Sequence, residues 1–332
     1  MKALVCHKHG PINTMRVRTW LDLKPQAGEV LIDVAYASVN FPDTLIVQGL
    51  YQVKPKVPFI PGHECSGVVN SVGEGVAHFK PGDRVMVSSG TGGIAEQICV
   101  SQYRVRRLPD EVALDVAATI NVAYGTALHA LKDLAQLQEK ETVLVLGAAG
   151  GTGSAAIEIA QTMGATVFAA CSTKEKLDYC TETFNLQQYQ VVNYDNQDLK
   201  QYINVATENQ GIDVVFDPVG GKYAEPALRS LGFRGRYLVV GFATGEIPSL
   251  PFNLALLKER SIIGVYAGIW AQQRGQEAMT NTGMLLNWVK NKKLNPRITA
   301  RFELEQSPTA LELVASRGAT GKIVIEVNTD LK

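Results

Sequence analysis

The tract Leu146-Gly147-Ala148-Ala149-Gly150-Gly151-Thr152-Gly153 constrains the fold of this chain more than any other. Ala148, Gly150 and Gly153 are spaced so that a turn can be sharp, backbone can approach a ligand, and a following helix can press close to a sheet. The flanks agree. Val143 to Leu146 is a short apolar strand, and Thr152 to Met163 reads as a helix stopped by Gly164, a residue suited to the position after a helix end. The pattern then repeats, with apolar strands at Thr166 to Ala170, Val191-Val192, Asp213 to Phe216, Arg236 to Val240 and Ser261 to Tyr266. Between them lie a helix at Lys174 to Thr183 with Ser172 and Thr173 as candidate N-caps, a polar helix opened by Asp195, and another around Tyr223 to Leu231. Strands separated by helices in this way predict an α/β fold with a doubly wound, parallel six-stranded sheet.

The chain before about Leu108 has another texture. Val30 to Val39, Ser66 to Val72 and Arg84 to Ser88 are strand-like, punctuated by Lys80-Pro81-Gly82-Asp83 and Ser89-Gly90-Thr91-Gly92-Gly93. Short strands at close spacing predict a barrel or sandwich. Beyond Gly268 come an amphipathic helix, Gly275 to Asn291, and a last strand, Lys322 to Val327, which reads as a return to the first domain.

Composition narrows the class. With 46% hydrophobic and 19% charged residues, the chain can bury real cores. Charge balances, 32 Lys and Arg against 32 Asp and Glu, so nothing points to nucleic acid or a membrane surface as partner. Cys6, Cys65, Cys99, Cys171 and Cys180 lack the spacing of a structural zinc site or a disulfide framework. The opening residues hold too short an apolar run for a signal peptide. The most apolar window, Val143 to Ala160, is broken by glycines and Glu158, unlike a spanning helix. A soluble, cytoplasmic protein is expected.

In this context the glycine-rich turn reads as a dinucleotide-binding fingerprint, the pyrophosphate lying on the N–H groups of a helix N-terminus. The residues assigned to it are Ala149, Gly150, Gly151, Thr152 and Gly153. The end of the second strand selects the cofactor. An NAD site carries an acid there for the ribose 2′-hydroxyl, but this chain reads Ala170-Cys171-Ser172-Thr173-Lys174-Glu175-Lys176. Hydroxyls and lysines suit a 2′-phosphate, with Ser172 donating and Lys176 or Lys174 supplying charge, so NADPH is expected.

Pro61-Gly62-His63-Glu64-Cys65-Ser66-Gly67-Val68-Val69, with Val72-Gly73-Glu74-Gly75-Val76 and Lys80-Pro81-Gly82-Asp83-Arg84-Val85, resembles the medium-chain dehydrogenase/reductase superfamily. Ala148 to Gly153, Ala37-Ser38-Val39-Asn40-Phe41-Pro42-Asp43-Thr44 and Tyr124-Gly125-Thr126-Ala127-Leu128 are similar to its quinone oxidoreductase (zeta-crystallin-like) branch. The resemblance implies a GroES-like β-barrel catalytic domain over 1–120 with 267–332, a Rossmann NADPH-binding domain over 121–266, an active site in the cleft between them, and a homodimer. In the alcohol dehydrogenase branch, Gly-His-Glu contributes a catalytic zinc ligand together with cysteines. Here the partner segments, Val39-Asn40-Phe41 and Asn121-Val122-Ala123, hold no Cys, and about three protein ligands are needed. His63 is therefore expected to be a packed, hydrogen-bonded residue, and no metal is expected.

A metal-free site suits reduction of an electron-poor acceptor, a quinone or an α,β-unsaturated carbonyl, because charge developing on oxygen then needs only hydrogen bonds and a proton. The resemblance places Asn40 and Asp43 beside the nicotinamide or its ribose, although both types also end strands in turns. It directs Tyr51 to the substrate, either as proton source or as a cleft-lining aromatic. It also implies cofactor contacts from Thr126, Tyr194, Gly241, Phe242 and Ala243, and from Tyr266, which alternatively packs at a subunit interface. The leading expectation is an NADPH:quinone oxidoreductase. The alternatives are an NADPH-dependent alkenal, enone or enoyl-thioester reductase, and a non-catalytic, crystallin-like NADPH-binding protein.

Overall fold

Runs of β-branched residues separated by Gly and Pro turns make strands the main regular structure in the first third of the chain. The computed structural model describes residues 1–331. In it β1 (Lys2–Val5) pairs antiparallel with β2 (Arg16–Thr19). β3 (Glu29–Val39) pairs with β4 (Glu64–Val72) and, lower on the same strand, with β6 (Gln97–Ser101). β5 (Arg84–Ser88) joins β4 to β7 (Val105–Arg107). Val30, Ile32, Val34, Val85, Val87 and Ile98 fill the core that these strands enclose. β3 and β4 cross so closely that a Cβ on Gly67 would lie 1.9 Å from the Asp33 carbonyl oxygen. Their register shifts at that place, between Val34 and Tyr36.

The second unit is a parallel sheet of β8 (Thr142–Leu146), β9 (Thr166–Cys171), β10 (Val191–Asn193), β11 (Ile212–Asp217), β12 (Leu231–Val239) and β13 (Ser261–Gly264). Their spatial order is β10-β9-β8-β11-β12-β13, so the winding direction reverses between β8 and β11. Val143 to Leu146 are all buried, as expected of a parallel strand covered on both faces. The strands fall within a residue or two of the sequence expectation at most ends. β12 is the exception. It starts at Leu231 because a register irregularity, with Arg234 at φ +57°, interrupts its pairing with β11 before Arg236. The polar helix also begins later than expected, at Leu199, where the Asp198 carboxylate caps it by accepting from the Gln201 N–H at 2.9 Å. Asp195 instead accepts from the Tyr223 hydroxyl and pairs with Lys222.

The chain then returns to the first sheet with β14 (Ile298–Glu303) beside β15 (Lys322–Glu326), which pairs antiparallel with β3. One compact unit comprises Met1–Ala123, Leu286–Lys292 and the residues from Pro296 onward; the other comprises Tyr124–Leu285 and Lys293–Asn295. Residues 267–285 thus cluster with the parallel sheet, not with the barrel where the sequence reading put them. The cause is local. The His129 and Trp270 rings stack at 3.9 Å, and the Asn281 amide donates to Asp133 at 2.8 Å while accepting from Lys132 at 3.0 Å. Among the described residues no helix is long and apolar enough to cross a membrane.

The glycines give a test of this packing. Gly67→Ala should lower the unfolding free energy by about 2–3 kcal/mol in urea denaturation, because a Cβ has no room between β3 and β4. Gly283→Ala, inside the helix Gly275–Lys290 with nothing within 4 Å, should raise it by about 0.5–1 kcal/mol. An unaltered midpoint for Gly67→Ala would contradict the crossing.

Candidate functional site

β3 ends at Val39 and α1 (Phe41–Gln48) begins at once, which makes Asn40 the N-cap and Asp43 the third helical residue. Both are buried, Asp43 to 1% exposure. The Asp43 carboxylate accepts the Asn40 N–H at 2.8 Å on one oxygen. Its other oxygen accepts the backbone N–H of His63 at 3.1 Å and, at 2.6 Å, the Nδ1–H of the His63 ring. Burial alone would lower the His63 pKa, but the Asp43 charge and this hydrogen bond, with Glu64 adding to them, raise it above the ordinary value. His63 is thus hydrogen-bonded, as expected from the sequence.

Glu64 follows, at 0% exposure, and both carboxylate oxygens are engaged. Oε1 accepts from Asn40 Nδ2 at 2.9 Å and Lys322 Nζ at 3.4 Å; Oε2 accepts the Val122 N–H at 2.9 Å. Lys322 Nζ also donates to Asn40 Oδ1 at 2.6 Å. The pairing of Ile323 with Val39 brings Lys322 to this place. Sequence reasoning passed over Lys322; the available signal was a lysine opening an otherwise apolar strand, Lys322-Ile323-Val324-Ile325.

Tyr51 stands edge-on to the His63 ring, centroids 6.5 Å apart and planes at 90°, with its body against the barrel core. Its approach is set by Gly49, which caps α1 at φ +72°. His9 lies underneath, its ring nitrogens 3.0 Å from the Ile46 and Pro55 carbonyls. Asn40, Asp43, His63, Glu64, Lys322 and Tyr51 therefore form one cluster within the barrel unit.

In the sheet unit, β8 runs into a turn at Gly147 (φ +57°) and then into the helix Gly151–Thr162, with Gly150 as N-cap. The Ala148 N–H is tied to the Ala170 carbonyl of β9 at 3.2 Å. The first helical bond runs from the Ser154 N–H to the Gly150 carbonyl, so the N–H groups of Gly151, Thr152 and Gly153 precede the intrahelical ladder. A Cβ on Gly153 would meet the Gly147 carbonyl oxygen at 2.3 Å, whereas one on Gly150 would approach only that oxygen, at 3.3 Å. Gly153 is required by helix–sheet packing; Gly150 keeps the rim of the turn low.

β9 ends at Cys171, and Ser172 and Thr173 follow before the helix Lys174–Phe184. Thr173 caps that helix by accepting from the Lys176 N–H. Lys174 is ion-paired with Asp178 at 2.6 Å, while the Lys176 charge acts on the Cys171 thiol at the strand end. Tyr194, after β10, donates its N–H to the Cys171 carbonyl at 3.0 Å and packs on Tyr223 at 4.2 Å. Burial raises its hydroxyl pKa, offset in part by a hydrogen bond with Ser172.

Gly241, Phe242 and Ala243 follow β12, held by the Gly241 N–H on the Asp217 carbonyl and the Ala243 N–H on the Pro218 carbonyl. Asp217, missed by sequence reasoning, organises this neighbourhood. It is buried, accepts the Val219 and Gly220 N–H groups at 2.7 and 2.9 Å, and receives the Tyr237 hydroxyl. Burial lifts its pKa above the usual carboxylate value. Tyr266 follows β13 and is 46% exposed. Thr126 lies in the short helix Gly125–Leu128. The turn, Ser172, Lys176, Tyr194 and the Gly241–Ala243 segment thus follow the C-terminal ends of parallel strands, where open α/β sheets take their ligands.

Residues 26–110 match the alcohol dehydrogenase GroES-like domain family, and residues 151–282 match the zinc-binding dehydrogenase family. The chain is 39% identical over 303 residues to quinone oxidoreductase-like protein 2 of Bos taurus, covering 91% of this chain and 86% of that protein. It is 32% identical to the quinone oxidoreductase of Homo sapiens, covering 98% and 97%. Among solved structures, mycobacterial Rv1454c complexed with NADPH is 25% identical with a TM-score of 0.88, covering 98% of this chain and 100% of that one. The CurK enoyl reductase is 26% identical with a TM-score of 0.87, covering 98% of each.

The zinc named in one of these families finds no fitting donor set here. Glu64 is taken by Asn40, Lys322 and Val122, Asn121 Nδ2 donates to the Val87 carbonyl, and His63, whose Nδ1–H goes to Asp43, offers one imidazole donor where about three protein ligands are needed. Among the described residues no group of three or more His, Cys, Asp or Glu is placed to hold a metal ion. Taken together, the fold and the relatives show that the chain belongs to the quinone oxidoreductase-like medium-chain dehydrogenase/reductase family and is an NAD(P)-dependent oxidoreductase.

Proposed function

We propose that this protein is a zinc-free NADPH:quinone oxidoreductase. The observation that carries the cofactor choice is the end of β9, where Ser172 and Thr173 stand in place of an acid and the Lys176 charge reaches Cys171. A carboxylate there would repel a 2′-phosphate; a hydroxyl and an ammonium attract it. The NADPH complex of the mycobacterial relative and the names of the curated relatives support the same reading.

The residues divide the work. Ala149 to Gly153 receive the pyrophosphate on N–H groups at a helix N-terminus. Ser172 and Lys176 hold the 2′-phosphate, and Tyr194 lies against the adenosine. Thr126, Gly241, Phe242, Ala243 and Tyr266 border the nicotinamide half. NADPH, when bound, supplies a hydride. Asn40 donates a hydrogen bond from its amide, Asp43 fixes the start of α1 and the His63 ring, and Tyr51 offers a phenolic proton to an acceptor oxygen gaining charge. The partly exposed strand β13, paired among the described residues with β12 alone, supports a homodimer joined along that edge.

The CurK match favours one second reading, an enone or enoyl-thioester reductase. A kcat/KM at least about tenfold higher for an enone than for any quinone would select it, a difference of about 1.4 kcal/mol in transition-state stabilisation. Tight NADPH binding without NADPH oxidation by any quinone or enone would overturn both enzyme readings and leave a binding protein.

Two substitutions test the assignments. Ser172→Asp with Lys176→Ala should raise KM for NADPH by about tenfold or more and leave KM for NADH nearly unchanged; equal effects on the two would refute the 2′-phosphate site. Tyr51→Phe should lower kcat by about tenfold or more with little change in NADPH affinity. An unchanged kcat would reduce Tyr51 to packing.

A further inference from the structure

The amide of Asn40 is held at both ends by ions of opposite charge. Its Oδ1 accepts from the Lys322 ammonium at 2.6 Å, and its Nδ2 donates to the Glu64 carboxylate at 2.9 Å. Turning the amide over would set NH₂ against NH₃⁺ and C=O against COO⁻, so a single orientation is stable. Asn40 is also the N-cap of α1, where it shares a capping box with Asp43, so its backbone is fixed at the point from which its side chain meets the two ions. A nitrogen carrying two hydrogens with one spent on Glu64 keeps one to give. Lys322 and Glu64 are almost fully buried, at 3% and 0% exposure, so little water competes for their charges. Withdrawal of electron density toward the ammonium strengthens the remaining N–H as a donor.

We propose that Lys322 is a positioning residue that locks Asn40 as a hydrogen-bond donor to the oxygen of the acceptor. This rests on the reductase reading above and extends it to specificity. A locked donor favours acceptors that gain negative charge on oxygen during reduction, because the hydrogen bond strengthens as the charge forms. Lys322 itself touches only Asn40 and Glu64 in this cluster and acts through them.

Removing Lys322 alone would strand a buried carboxylate and could unfold the barrel. The informative variant is therefore Lys322→Met with Glu64→Gln, which removes both charges together and frees the amide to turn. Its kcat for a benzoquinone should fall about tenfold or more, while the NADPH dissociation constant from fluorescence titration stays within about twofold. Lys322→Arg, which keeps the cation, should retain kcat within about threefold. Two results would overturn the proposal: an unchanged kcat in the double variant, or losses of kcat and NADPH affinity that move in step with Tm. A readout independent of turnover separates this proposal from the reductase reading. In ¹⁵N–¹H spectra the Asn40 side-chain amide, assigned by its loss in Asn40→Asp, should exchange slowly in the wild type and rapidly in the double variant. Slow exchange in a wild type that turns over no acceptor would sink the reductase reading and leave the lock intact. Equal exchange in both proteins would sink the lock whatever the turnover.

Discussion

A buried carboxylate costs several kcal/mol of lost hydration unless cations and N–H groups replace the water, and Glu64 is such a group. The chain satisfies it with Lys322 from β15, Asn40 from the end of β3 and the Val122 N–H. These partners come from positions far apart in sequence. Strand pairing is what assembles them: β15 must lie in register on β3, with Ile323 opposite Val39, before Lys322 can reach the carboxylate. The barrel fold and this charge cluster are thus one constraint. A register slip of one residue in β15 would expel the ammonium and bury an isoleucine against the carboxylate.

The sheet unit answers a different demand, which is to present unbonded N–H groups at a low rim. Gly153 lets the helix after β8 pack on the turn at a distance that no side chain would permit. Asp217 works the other way one strand over, fixing its loop by accepting the Val219 and Gly220 N–H groups. Both devices shape loops at the C-terminal ends of the strands. They leave the strand interiors to Val, Leu, Ile and Phe.

What the sequence made legible follows from range. The six-stranded sheet, its glycine turn and the hydroxyl pair after β9 are local patterns, and the periodicity that marks them lies within a few residues. Asn40, Asp43 and His63 were singled out because their motifs are contiguous, and the structure brings them together. Lys322 was not, because a lysine at a strand start is ordinarily a solvated end; only the pairing of a distant strand buries it. Asp217 escaped for a similar reason, since an acid after an apolar strand resembles any turn residue until Tyr237 on the next strand is placed. Residues 267–285 were assigned to the barrel from the family resemblance, and their own amphipathic spacing could not correct it, since it shows that a helix has an apolar face and is silent about what covers it. The His129–Trp270 stack, which fixes their place, has no one-dimensional signature.

The Gly-His-Glu segment shows how one backbone frame can serve two chemistries. In the alcohol dehydrogenase branch this segment feeds a catalytic zinc, a dication whose ligands must offer lone pairs. Here Glu64 spends its lone pairs within the protein, on Lys322, Asn40 and the Val122 N–H, while His63 gives its Nδ1–H to the Asp43 carboxylate. A lysine ammonium carries half the charge of zinc and cannot coordinate a substrate oxygen, but it can orient an amide that reaches one. In the reaction we propose, the electrostatic pull on the acceptor is delivered as a directed hydrogen bond and not as a Lewis-acid contact. Such a pull is weaker. It suits acceptors whose own conjugated systems already spread the incoming charge, which is the property that quinones and enones share.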